Sequence, residues 1–331
     1  MLLADRFRDH AVAAEREGSA LYVDWSLGLA SDAEALRLVE RAPEARRQPA
    51  LVLAVCRWLG APLEPWPALR DWLLAHGDAF VAELGRRQTQ VNDVRRLGPV
   101  SLALARLEGP IALLEIGASA GLCLLPDRFA FRASVRDPDG PGDERLRSLA
   151  WGDPDSPVAI DLHVDGPLPG RVELPPVVWR AGIDLDPVDV TDPAAVSWLE
   201  TLLPPGPTER VELLRRAVAI ARSAPPRIVR GDAVDALRDL AAGAPPEAQL
   251  VVVSTGTLVY LPGRRRQAFV DAVRALDARW VSYERRDLLH DVVAEVPDGL
   301  APGADFAALA LDGRAIGVGD AHGTRLRMLP V

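Results

Sequence analysis

Residues 111–121 read IALLEIGASAG, from Ile111 through Glu115 and Gly117 to Ser119 and Gly121. A short, nearly unbroken apolar run that stops at a glycine is the pattern of a parallel strand covered on both faces. Gly117 and Gly121 let the backbone turn sharply and approach a ligand closely. A helix after that turn would offer free N–H donors. Glu115 falls at the carboxyl end of the strand, the edge where open α/β sheets take their ligands.

Downstream, strand and helix alternate. VVWRAGI (177–183), RIVRGD (227–232), LVVVST (250–255) and RWVSYE (279–284) read as strands. Residues 193–203, 208–222, 233–243 and 264–277 read as the helices between them. The tail alternates around Asp312-Gly313 and predicts antiparallel strands. Between these regions, about 130–176 is rich in Gly and Pro and reads as an insertion, with strands at FAFRASV and PVAIDLHV around a DPDGPGDE loop.

Upstream, residues 1 to about 105 are helical in period throughout. Ser31-Asp-Ala-Glu34 predicts a capping box, and Pro49 opens the helix ALVLAVCRWLG. The expected organisation is an N-terminal helical cap over 1–108 and an α/β domain over 109–331.

The chain has 331 residues, 47 acidic against 38 basic, and every basic residue is Arg. A net charge of −9 repels polyanions, which argues against a binder of bulk nucleic acid. No apolar stretch is long enough to span a bilayer, and none resembles a signal peptide. Cys56 and Cys123 each sit in apolar runs and read as small buried hydrophobes, consistent with a reducing cytoplasm. No His/Cys/Asp cluster has metal-ligand spacing. Nothing in the chain fixes an oligomeric state.

Glu115-Ile-Gly-Ala-Ser-Ala-Gly121 resembles the E/D-x-G-x-G-x-G motif of class I methyltransferases, with Ser119 in place of the middle glycine. The antiparallel tail on a mostly parallel sheet is similar to that fold as well. The resemblance implies a Rossmann-like class I methyltransferase sheet and S-adenosylmethionine as cofactor. Glu115 would reach the ammonium of the cofactor, and Gly117, Ser119 and Gly121 would cradle it. Asp184 or Asp186 would take the ribose hydroxyls, and Asp232 the adenine amino group. Ser254 lies at the fourth strand tip. Tyr260, Tyr283 and Glu284 are candidates to position the nucleophile or take its proton. Arg87, Thr89, Gln90 and Asn92 form a polar cluster that would line the pocket as a lid, with Gln88 and Asn92 on one helix face.

LLEIGASAGL, Thr89-Gln-Val-Asn92, WGDPDSPV, WRAGIDLDPVDVTD and VRGDA together resemble the bacterial domain of unknown function 2332, over nearly the whole chain. That resemblance likewise implies a methyltransferase-like fold. Two departures stand out. Cys123 occupies a position expected to hold Asn, and Ser254-Thr255 replaces a His-Ser pair. The expected reaction is methyl transfer to a small molecule. One alternative is a protein that binds the cofactor without transferring the methyl group. Another is a serine hydrolase using the G-x-S-x-G at 117–121, with Asp232 or Asp287 and His290 or His322 downstream.

Overall fold

A computed structural model describes residues 2–90, 92–137, 147–168, 171–206, 208–296 and 306–329. The chain divides into two compact units, 1–91 with 191–214 and 92–190 with 215–331. Its helices are α1 (Leu3–Arg16), α2 (Ala20–Ser31), α3 (Ala33–Glu40), α4 (Pro49–Trp58), α5 (Trp66–Ala75), α6 (Gly77–Arg86), α7 (Leu97–Leu104), α8 (Pro193–Leu202), α9 (Glu209–Ser223), α10 (Ala233–Ala241), α11 (Gly263–Arg274) and α12 (His290–Ala294). Its strands are β1 (Ile111–Ile116), β2 (Ala130–Arg136), β3 (Arg147–Gly152), β4 (Ala159–Asp165), β5 (Val177–Asp184), β6 (Arg227–Arg230), β7 (Gln249–Thr255), β8 (Arg279–Arg285), β9 (Phe306–Leu311), β10 (Arg314–Asp320) and β11 (Arg325–Met328).

The first unit is helical, and α7, which also falls in the stretch of helical period over 1 to about 105, belongs to the second unit. Its core gathers Phe7, Tyr22, Trp25, Leu53, Phe80 and Trp198. Arg57 closes α8 by donating to the carbonyls of Thr201 and Leu203, at 2.9 and 2.6 Å, which satisfies acceptors that a helix end leaves open. The capping expectation shifts by one residue. The Asp32 carboxylate accepts from the N–H groups of Glu34 and Ala35 and caps α3. Ser31 instead ends α2, its hydroxyl donating to the Leu27 carbonyl. A carboxylate is the better acceptor for two N–H groups at once.

The second unit is α/β and carries one mixed sheet of eleven strands, ordered β3-β2-β4-β11-β10-β9-β8-β7-β1-β5-β6. Strands β6, β5, β1, β7 and β8 run parallel. Strands β9 and β10 form the expected antiparallel hairpin, turning at Asp312 (φ +53°) and Gly313 (φ +79°), and β9 lies antiparallel to β8. All six residues of β1 are buried, as its apolar run demands.

The stretch expected as an insertion is part of this sheet. β2 pairs with β3 in antiparallel and with β4 in parallel, and β4 adds to β11 in parallel. Strand β3, which alternates in burial, does not stand out in the sequence. Residues 138–146 lie outside the described residues, and with them most of the loop read over DPDGPGDE. The long gap between Gly121 and Asp184 is therefore taken up by sheet, and β5 still pairs directly with β1.

No α-helix follows the glycine turn. Leu122–Leu124 and Pro126–Arg128 form short 3-10 turns instead. Leu122, Cys123, Leu124 and Leu125 are all buried, so this run has no polar face to present, and Pro126 lacks the N–H that would carry a helix on.

Candidate functional site

The parallel strands fan out from β1, toward β5 and β6 on one side and toward β7 and β8 on the other. Ligands of open α/β sheets bind at the carboxyl edge beside such a reversal of strand order. Glu115 stands there, beside Gly182 of β5 and Val253 of β7.

The Glu115 side chain is buried, and its Oε2 has no hydrogen-bond partner. Burial, and then the nearby Asp184 carboxylate, push the Glu115 carboxyl well above its ordinary range, against the pull of Arg96 and a hydrogen bond with the Thr255 side chain. An unsatisfied buried carboxyl is costly. A cation bearing N–H donors would satisfy it.

The glycine turn is held from three directions. Gly117 has φ +65°, and a Cβ there would meet the Thr257 Oγ1 at 2.3 Å. Gly121 has φ +69°, and a Cβ there would meet Pro226 at 2.5 Å. At both glycines the close approach is to the protein's own side chains. Ser119, at φ +48°, donates its backbone N–H to Asp184 Oδ2 at 2.8 Å. Its hydroxyl accepts from Asn92 Nδ2 at 2.9 Å, while Asn92 Oδ1 accepts the Ala120 N–H at 3.0 Å. That second bond fixes which end of the amide donates.

Asp184 has a structural duty as well, because its Oδ1 accepts the Asp186 N–H at 2.8 Å. Each carboxylate oxygen retains a further acceptor position. Asp186 is exposed and pairs with Arg230 at 2.7 Å. Asp232 is the N-cap of α10, accepting from Val234 N–H and pairing with Arg265. Burial alone would raise its carboxyl, but the Val234 N–H and the Arg265 guanidinium bring it below the usual range.

At the tips of β7 and β8, the buried Glu284 accepts the N–H groups of Thr257 and Leu258 at 3.1 and 3.2 Å. Burial raises its carboxyl to about 7, with those two N–H groups, Arg96 and the Ser254 hydroxyl limiting the rise. Ser254 is buried and also accepts from Trp280 Nε1. Tyr283 is buried, and its hydroxyl donates to the Asp320 carbonyl. Tyr260 is half exposed on the turn after β7.

The helix expected to carry Gln88 and Asn92 on one face ends at Arg86, and Arg87 is already extended at ψ 156°. Arg87 makes its contacts within the helical unit and is partly exposed. It ion-pairs with the buried Glu83 at 2.7 Å and packs over Trp58 and Trp198 at 4.3 and 4.6 Å. Thr89 donates to Gln48 within the same unit, and Gln90 lies in that unit too. Of the expected lid, Asn92 stands at the glycine turn.

The sequence reading missed the segment that begins at Asn92. Asp93, buried, takes both the Arg95 guanidinium and His322 Nδ1, the latter at 3.1 Å. Arg96 donates to the carbonyls of Thr255 and Ala321, at 3.0 and 3.2 Å. Residues 92–96 thus tie the loops after β1, β7 and β10. The available signal was Asn-Asp followed by Val-Arg-Arg ahead of an apolar run, the mark of a helix start. Among the described residues no group of three or more His, Cys, Asp or Glu is placed to hold a metal, and no helix is long and apolar enough to cross a membrane.

The model of a family described as uncharacterized proteins conserved in bacteria (DUF2332) matches residues 4–327, so the chain belongs to that family. No curated protein matches it.

Proposed function

We propose that this member of the family binds S-adenosylmethionine at the carboxyl edge of its parallel strands and transfers the methyl group to a small molecule. The observation that carries the reading is Glu115 Oε2, a buried acceptor without a donor beside the reversal of strand order. The ammonium of an amino-acid ligand supplies N–H donors to that oxygen, and its positive charge favours the ionised carboxylate that burial alone disfavours. The residues present therefore fit the amino-acid end of the cofactor. Asp184 keeps acceptor positions for a ribose while it holds the glycine turn.

When bound, the cofactor supplies an electrophilic methyl group on a sulfonium. The chain's own contribution is orientation. Glu284 fixes the Thr257–Leu258 turn, Asn92 and Asp184 fix the glycine turn, and Arg96 ties the tip of β7. Alignment of this kind accounts for much of the acceleration of a transfer reaction.

A hydrolase would need a base on the Ser119 hydroxyl. The partner there is a donor, the Asn92 amide.

Calorimetric titration with S-adenosylmethionine and S-adenosylhomocysteine tests the reading. Micromolar binding by the wild type is expected, weakened about tenfold or more in Glu115→Gln, equivalent to about 1.4 kcal/mol. A folded wild type that binds neither compound removes the reading. Binding without turnover on any acceptor marks a protein that keeps the cofactor site and lacks transfer. In the absence of binding, a fluorophosphonate that labels Ser119 would favour the hydrolase.

A further inference from the structure

Glu115 is a buried carboxyl whose Oε2 has no hydrogen-bond partner, and among the described residues no cation forms an ion pair with it. Arg96, the cation that acts on it, donates instead to the carbonyls of Thr255 and Ala321. β7 contributes a hydrogen bond from the Thr255 side chain. The run after the glycines contributes the buried Cys123 thiol, which burial and then Glu115 push up. β5 contributes Asp184, whose carboxylate opposes a charge on Glu115.

The two carboxyls at this edge are unequally equipped. Asp184 accepts the N–H groups of Ser119 and Asp186, both at 2.8 Å, and donors of that kind favour the charged form. Glu115 has one oxygen without any donor. Like charges that share a site do not ionise together cheaply, so the negative charge falls to Asp184 and the proton to Glu115. Burial first, and then Asp184, hold the Glu115 carboxyl well above its ordinary range, in the same direction as the hydrogen-bond pattern.

We propose that Glu115 carries a proton in the ligand-free protein and releases it when the ammonium of the cofactor binds, so that the site takes its ligand in exchange for a proton. The inference rests on the cofactor-binding reading above. The O–H bond of Glu115 breaks, the proton passes to the buffer, and an ammonium N–H donates to the carboxylate left behind. A nucleoside without the amino group offers nothing to stabilise that charge and leaves the proton in place. The amine is thus the part of the ligand that this carboxyl reads. The complex holds one proton fewer than the free partners. The dissociation constant should therefore fall about tenfold per pH unit while free Glu115 is protonated and the ligand amine is charged.

The test is calorimetric titration of the wild type and Glu115→Gln with S-adenosylhomocysteine, in phosphate and in imidazole at about pH 6.5, where an α-amino group is charged. The two buffers differ in ionisation enthalpy, so the difference in apparent binding enthalpy counts the protons released. The wild type should release about one proton per ligand and Glu115→Gln none, with the affinities of the two proteins converging as the pH falls. 5′-Methylthioadenosine keeps the nucleoside and the thioether but lacks the amine. On the wild type it should fail to bind or bind with no release, a comparison that stands even if Glu115→Gln does not fold. S-adenosylhomocysteine binding without proton release overturns the inference alone and leaves the cofactor reading in place. So does release that persists in Glu115→Gln, or equal release with 5′-methylthioadenosine. A folded wild type that does not bind S-adenosylhomocysteine or S-adenosylmethionine overturns the parent reading together with it.

Discussion

Asp184 Oδ2 accepts the backbone N–H of Ser119 at 2.8 Å, so the end of β5 pins the turn that follows β1. The other carboxylate oxygen takes the Asp186 N–H. Asp184→Ala therefore strands two N–H donors and should lower stability by about 2 kcal/mol. It should also weaken S-adenosylmethionine binding about tenfold or more. Thermal melts and calorimetry separate the two effects. A melting point shift with unchanged affinity would leave Asp184 as a turn fastener only.

Gly117 is a packing requirement before it is a ligand requirement. Gly117→Ala should cost about 2 kcal/mol or more, from the positive φ together with the collision with Thr257. In a Thr257→Gly background the cost of the alanine should fall to about 1 kcal/mol, the part due to backbone strain. An equal cost in both backgrounds would place the collision elsewhere.

Glu284 sets a slope of stability with pH. Its carboxyl rises from an ordinary 4.5 to about 7 on folding. A raised acid contributes stability that is complete below about 4.5 and is lost as the pH rises through about 7. Glu115, raised in the same direction, adds to the trend. Melting temperatures between pH 4.5 and 7.5 should fall less steeply in Glu284→Gln than in the wild type. Parallel curves would show that the slope has another source.

Glu83 works in the opposite sense. Burial favours its neutral form, but Arg86 and Arg87 bring the carboxyl below the usual range, so its contribution is lost as the pH falls through that lowered value. At neutral pH, Arg87→Leu leaves Glu83 with only the exposed Arg86 and should cost about 3 kcal/mol. The double variant Glu83→Gln with Arg87→Leu should recover part of that loss in urea unfolding. No recovery would mean that the packing of Arg87 on the two tryptophans carries the whole effect.

Strands β1, β7 and β8 were legible because each is a short, largely apolar run closed by a polar or glycine signal, and burial on both faces leaves little room for another pattern. The stop of α6 at Arg86 was not legible. From Gly85 to Asn92 only Val91 is a large apolar residue, so little holds a helix face against the core, yet the charged and amide residues there are good helix formers in isolation. The candidate site divides in the same way. Glu115, the glycines, Asp184 and Glu284 are strand-end residues, and a strand end can be read locally. Asp93 and His322 meet across 229 positions, and their partnership comes from the strand order, which no local pattern contains.

The order of the sheet also sets when the molecule can be finished. β2, β3 and β4 are synthesised early, but they join the remaining strands only through β11, whose Arg325 stands opposite His163. Until the ribosome has made that short strand, one side of β4 has no native mate. An unpaired strand edge is a template for pairing with the wrong chain, and pairings so distant in sequence form slowly. The nascent protein therefore carries an open edge from the completion of β4 until β11 emerges, and its yield in a cell should depend on how well that edge is shielded over that interval.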